Sequence, residues 1–101
     1  MTALALTFVV TAYATGCDTL PGSRTKAGTL PVAGFTLAAD PRVLPLGSIV
    51  WIEGLGERMV VDVGSKVRGR HLDLYVDSCA EARTWGRRSR AVRVMHIGGT
   101  R

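Results

Sequence analysis

The chain has 101 residues, 47% of them hydrophobic but only 6% aromatic, and its 13 Lys and Arg outnumber 8 Asp and Glu for a net charge of +5. That length supports a single core burying about 60–65% of the unfolded surface, so one domain over residues 1–101 must carry the function, and the composition excludes a disordered or low-complexity chain. The charge calls for an anionic partner; six of the eleven arginines follow residue 82, but no basic helix, RNA-binding aromatic signature or zinc spacing accompanies them, so no nucleic acid is expected and an acidic cell wall fits as well.

The opening "MTALALTFVVTAYATG" imitates a signal peptide through "AYA", yet it lacks a positive n-region and its apolar run is too short to span a bilayer. Its Thr, Phe and Val content reads better as a strand over 5–14, which leaves any export route out of view. The polar segment "GCDTLPGSRTKAG", Gly16 to Gly28, reads as a loop. Strands are expected near 34–39 and 48–53. Between them, Pro41 and Pro45 of "ADPRVLPLGS" fix the backbone while Val43, Leu44 and Leu46 pack underneath. "WIEGLGERMVV" reads as a hairpin turning at Gly54 and Gly56 into a strand over 57–63.

A strand over 71–77 follows. Ser78 with Glu81 three residues on makes a capping box, and Gly86 a stop, so a short helix is expected from Cys79 to Trp85. A last strand is expected over 91–97. Cys17 and Cys79 have no CxxC partner and no His cluster; one disulfide in an exported protein is the alternative to the favoured reading, two unpaired small hydrophobes. Trp85 is expected to pack the helix on the barrel, and Trp51 to be structural. His71 and His96 have no metal-ligand spacing, so neither metal nor cofactor is expected.

In "RHLDLYVDS", alternation puts Leu72, Leu74 and Val76 on one face and His71, Asp73, Tyr75 and Asp77 on the other. A lone strand aspartate is ordinarily a solvated surface residue. Asp62 leads into a glycine-containing loop, Asp40 introduces a proline turn, and aspartate is disfavoured in strands, which together weigh against that reading.

"TAYATG", "TKAG", "AADPRVLPLGSIVWIEGLG", "VDVGSKVRGRHLDLYVDS" and "EARTWGRR" occur in the order and spacing of the three-aspartate (3D) domain, which the chain resembles from about Thr11 to Val94. That family is similar to the catalytic barrel of the membrane-bound lytic transglycosylase A family and to stationary-phase muralytic proteins. The resemblance implies a mainly β fold, a six-stranded double-psi β-barrel with one short helix. It implies a peptidoglycan lytic transglycosylase of the cell envelope or secreted, bacterial or phage-encoded; a monomer without a membrane span is expected.

Its namesake aspartates would be Asp40, Asp62 and Asp73, with Asp73 the catalytic acid and base and the other two shaping the site. Thr25, Gly64, Lys66 and Tyr75 would contact glycan, with a loop cap the alternative for Thr25. Where the family commonly reads "DTGGAIKG" this chain reads "DVGSKVRG", so Val63, Ser65 and Lys66 alter the cleft border. Those changes motivate a second reading, a glycan-binding or structural module without turnover. For catalysis Asp73 needs a raised pKa, for which the Asp62 charge and partial burial are the expected causes, opposed by Lys66, Arg68, Arg70 and His71.

Overall fold

The computed structural model describes residues 5–99; the first four residues of the leader-like opening lie outside them. The elements are β1 (Ala5–Tyr13), β2 (Thr36–Ala39), β3 (Ile49–Ile52), β4 (Gly56–Asp62), β5 (His71–Tyr75), α1 (Cys79–Trp85) and β6 (Arg88–His96). The strands close into a barrel in the order β1-β5-β2-β4-β3-β6. β1 runs parallel to β5 and β2 parallel to β4, and the remaining neighbours are antiparallel. A closed ring of six with two parallel pairs is compatible with the double-psi connection, and closure leaves no open sheet edge.

Period-two alternation builds the core. Phe8 and Val10 of β1, Val50 and Ile52 of β3, Val60 of β4, Leu72 and Leu74 of β5 and Val92 of β6 all point inward. Each fully buried aliphatic or aromatic side chain contributes about 1.5–3 kcal/mol relative to exposure, so this one cluster dominates the stability of the fold. β2, Thr-Leu-Ala-Ala, is buried along its whole length between β5 and β4. In the proline segment Leu44 is buried and Leu46 packs against the core, but Val43, expected beside them, faces solvent.

β6 starts at Arg88 rather than at 91, because Arg88 to Arg93 pair antiparallel with Val10 to Ala5. The polar run Arg-Ser-Arg carries no alternation to signal that pairing. The helix has the expected bounds: the Ser78 hydroxyl accepts from the Glu81 amide at 3.1 Å, and Gly86 ends it at φ 67°, in the left-handed region. Trp85 packs on the barrel, its indole N–H donating to the Val10 carbonyl at 2.8 Å, with the Arg88 guanidinium 4.3 Å from its ring centroid. Trp51 is half-buried on β3 beneath Arg93.

The reading of Cys17 and Cys79 as unpaired is corrected: the two form a disulfide. They are 62 residues apart, and neither is buried. The pairing arises because α1 packs on β1 and so returns to the turn that follows β1, a long-range contact with no local sequence signal.

Candidate functional site

Four adjacent strands each place one residue in a single row. Thr11 of β1 pairs with Asp73 of β5, Asp73 pairs with Ala38 of β2, and Ala38 pairs with Asp62 of β4. With strands about 4.8 Å apart, the backbones at Asp73 and Asp62 stand roughly 10 Å from each other, separated by a methyl group. A cleft of about 760 Å³ opens over this row, with Thr11, Tyr13, Ala38, Asp62 and Asp73 from the strands along its base. Gly64, Lys66, Arg68 and Arg70 border it from the β4–β5 loop, and Arg87 from the α1–β6 connection.

Asp73 is half-buried, and the Thr11 hydroxyl donates to its Oδ1 at 2.8 Å. The same hydroxyl oxygen is 2.8 Å from His71 Nε2. A hydroxyl has one hydrogen to give, so when Thr11 donates to Asp73 it accepts from the imidazole N–H, and the three groups form a hydrogen-bonded chain. Burial pushes the Asp73 carboxyl above its ordinary value; the Thr11 hydrogen bond and the His71 charge pull it down, and Asp18 and Asp62 add to the rise. The direction is the one catalysis requires, which the opposing charges left open in the sequence, and the weights differ from those expected. Burial is the leading cause and Asp62 a minor one, as the two-strand separation requires.

Asp62 accepts three hydrogen bonds. The Tyr13 phenol donates to Oδ2 at 2.9 Å, and the amides of Lys26 and Val63 donate to Oδ1 at 3.0 Å each. Burial and the Asp62 carboxylate hold the Tyr13 phenol far above the usual phenol range, so it remains a donor. The "TKAG" loop reaches this site through its backbone: beside the Lys26 amide on Asp62, the Ala27 amide donates to the Val61 carbonyl at 3.0 Å.

Three residues expected at the site stand elsewhere. Asp40, grouped with the catalytic carboxylates, is 3% exposed and is not among the cleft-lining residues. Its Oδ2 accepts from the Gly69 amide at 2.9 Å and its Oδ1 from the Arg42 amide at 3.0 Å, so it ties down the loop that carries Lys66 and Arg68. Thr25 is buried, its hydroxyl 2.8 Å from that of Thr29 and accepting from the Thr29 amide at 3.2 Å; it caps its own loop instead of facing glycan. Tyr75 stands behind Tyr13, ring centroids 5.4 Å apart, with its hydroxyl 2.7 Å from that of Thr15.

Thr11, Tyr13 and Ala38 were missed. The period-two spacing of Thr11 and Tyr13 in "TAY" would have put both on one face of β1, but not opposite Asp73 and Asp62, which depends on the barrel order. Among the described residues no group of three or more His, Cys, Asp or Glu is placed to hold a metal ion.

Residues 35–98 match the 3D domain. The chain belongs to the 3D domain family. It is 40% identical over 60 residues to the cell wall-binding protein YocH of Bacillus subtilis, covering 59% of this chain and 21% of YocH. It is 31% identical over 94 residues to the putative cell wall shaping protein YabE of the same organism, covering 90% of this chain and 23% of that one. The chain thus spans less than a quarter of either relative. Among solved structures, a single-substitution variant of the E. coli lytic transglycosylase MltA in an apo form superposes with a TM-score of 0.66 at 18% identity, over 81% of this chain and 30% of that one. MltA with bound chitohexaose superposes at 0.56 with 16% identity, over 76% of this chain and 29% of MltA. The 3D domain here therefore has an MltA-like fold.

Proposed function

We propose that this 3D domain is a peptidoglycan lytic transglycosylase that cleaves the β-1,4 bond between N-acetylmuramic acid and N-acetylglucosamine and leaves a 1,6-anhydro end. The observation that carries the reading is Asp73: a half-buried carboxyl, pushed toward its neutral form by burial, on the base of an open cleft and held there by Thr11. A carboxyl with a raised pKa is what a general acid needs near neutral pH.

Asp73 gives its proton to the glycosidic oxygen as the bond from the anomeric carbon breaks. The 6-hydroxyl of the same muramic acid closes on that carbon, and the Asp73 carboxylate takes the hydroxyl proton, so no water is activated and one residue serves twice. Asp62, fixed by its three donors across Ala38, offers negative charge to the positive charge that develops on the sugar ring. Asp40 acts only through the loop it anchors.

The names of the relatives support a place at the cell wall, and a disulfide suits an oxidising, extracytoplasmic setting. A second reading, a glycan-binding module without turnover, is favoured by the name of YocH and by Val63 and Lys66 at the cleft border; Ser65, expected beside them, does not line the cleft.

Purified peptidoglycan incubated with the wild type and with Asp73→Asn, its soluble fragments identified by mass spectrometry, separates the two. Anhydro-muropeptides from the wild type, reduced by a factor of about 10²–10⁴ in the variant, are expected. Fragments with reducing ends would replace the intramolecular step by hydrolysis. Saturable binding without soluble product from either protein would establish the binding module.

A further inference from the structure

The cleft carries two sets of charge that do not neutralise each other. Asp18 lines the cleft with Asp62 and Asp73; the latter two are half-buried on strands, and three of their four oxygens accept from Thr11, Tyr13 and backbone amides, all neutral donors. Lys66, Arg68, Arg70 and Arg87 border the same cleft from exposed connections. Among the described residues the one ion pair is Arg42 with Asp40, outside the cleft. Arg68 spends its Nε on the Ser65 carbonyl at 3.0 Å; no hydrogen bond from the side chains of Lys66, Arg70 or Arg87 occurs among the described residues. Asp18, Asp62 and Asp73 line the same cavity, but among the described residues none of them stands within ion-pair distance of these four cations, which are left free to meet an anion.

A neutral sugar gains little from such a border, whereas a sugar bearing a carboxylate gains from it directly. Resting on the glycan-cleaving reading above, we infer that these cations form an anion subsite for a carboxylate on the bound glycan, and that the group it takes is the lactyl carboxylate of N-acetylmuramic acid. That carboxyl is joined to the peptide through an amide in peptide-bearing strands and is a free anion once the peptide has been removed. It is fixed to the sugar ring that must occupy the cleft, whereas the carboxylates of a stem peptide begin at its second residue, beyond a flexible amide-linked spacer. The preferred substrate is then a denuded glycan strand, and the reaction class that must supply it is hydrolysis of the lactyl–peptide amide.

Binding by Asp73→Asn protein, measured by calorimetry, tests this without turnover. The probes are denuded muramyl-containing oligosaccharide, the same oligosaccharide with its lactyl carboxyls converted to methyl amides, peptide-bearing strands of the same length, and chitohexaose. The denuded form is expected to bind about tenfold more tightly than the amidated form and chitohexaose, a modest gain because the charges that meet the carboxylate are exposed. The advantage should shrink in 0.5 M salt and disappear in Arg70→Gln/Arg87→Gln, with chitohexaose affinity unchanged.

Equal affinity for the denuded, amidated and neutral oligosaccharides would overturn the subsite while leaving the glycan cleft standing. Peptide-bearing strands binding as tightly as denuded ones would assign the anion to the peptide and overturn the lactyl carboxylate as its source. Failure to bind any of the four would overturn the glycan reading itself and the subsite with it.

Discussion

Asp73 shows how a fold sets the chemistry of one residue. Its strand neighbours Leu72 and Leu74 are drawn into the core, which leaves the carboxyl on the opposite face, half-buried under the cleft walls and above its ordinary pKa. A carboxyl raised by folding binds its proton more tightly in the native than in the unfolded state. The stability this contributes is full below the unfolded value and is lost as pH rises through the folded one. The wild type therefore loses this contribution as pH rises through the folded value, whereas Asp73→Asn, which keeps an acceptor for Thr11 and cannot ionise, is expected to gain on the wild type over the same rise. Thermal melts at pH 3.5 and at pH 7 check this: the difference in Tm between variant and wild type should move in the variant's favour as the pH rises. A difference that moves the other way would mean that the carboxylate form is the one the fold favours. The outward face of Asp73 was legible from alternation alone. Its partner Thr11 was not, because the two are 62 positions apart and meet only through the parallel pairing of β1 with β5.

At the scale of elements, the strands and the helix were largely legible because each is bounded by glycine, proline or a cap, whereas the connections that shape the cleft depend on where distant strands lie. Asp40 illustrates the difference. In sequence it is one of three similar aspartates; in the barrel it stands at the end of β2 beneath the β4–β5 loop. The Gly69 amide, the Arg42 side chain and the Arg42 amide, in that order, lower its pKa to about 2 against the cost of burial. Its contribution is therefore present above the unfolded aspartate value, near 3.9, and is lost as pH falls toward 2. Asp40→Ala is expected to melt below the wild type at pH 7, with the gap closing as the pH is lowered through 4 toward 2. Hydrogen exchange separates a tether from a general loss of stability: the Gly69 amide should lose protection in the variant by more than the amides of β5. Equal loss at both would remove the tether and return Asp40 to an ordinary core contact.

The whole molecule is a closed barrel to which α1 is added, and the disulfide joins that helix to the turn after β1. Cys17 and Cys79 enclose most of the chain, at a sequence separation of 62, so the bond removes a large set of open conformations from the unfolded ensemble. Disulfides typically contribute about 2–4 kcal/mol, which for a domain near 100 residues is roughly 10–20 °C in Tm. The core cluster of Phe8, Val10, Leu37, Ile52 and Leu72 does not include either cysteine, so the barrel should survive reduction as a folded but less stable species. Melting followed by circular dichroism, with and without dithiothreitol, should show the same β signature at 20 °C and a Tm lower by that amount in the reduced protein. Cys17→Ser/Cys79→Ser should melt with the reduced wild type and ignore dithiothreitol. A Tm indifferent to reduction would mean that the packing of Trp85 on β1 already restricts the helix as much as the covalent link does, and the stability of α1 would then be assigned to that contact.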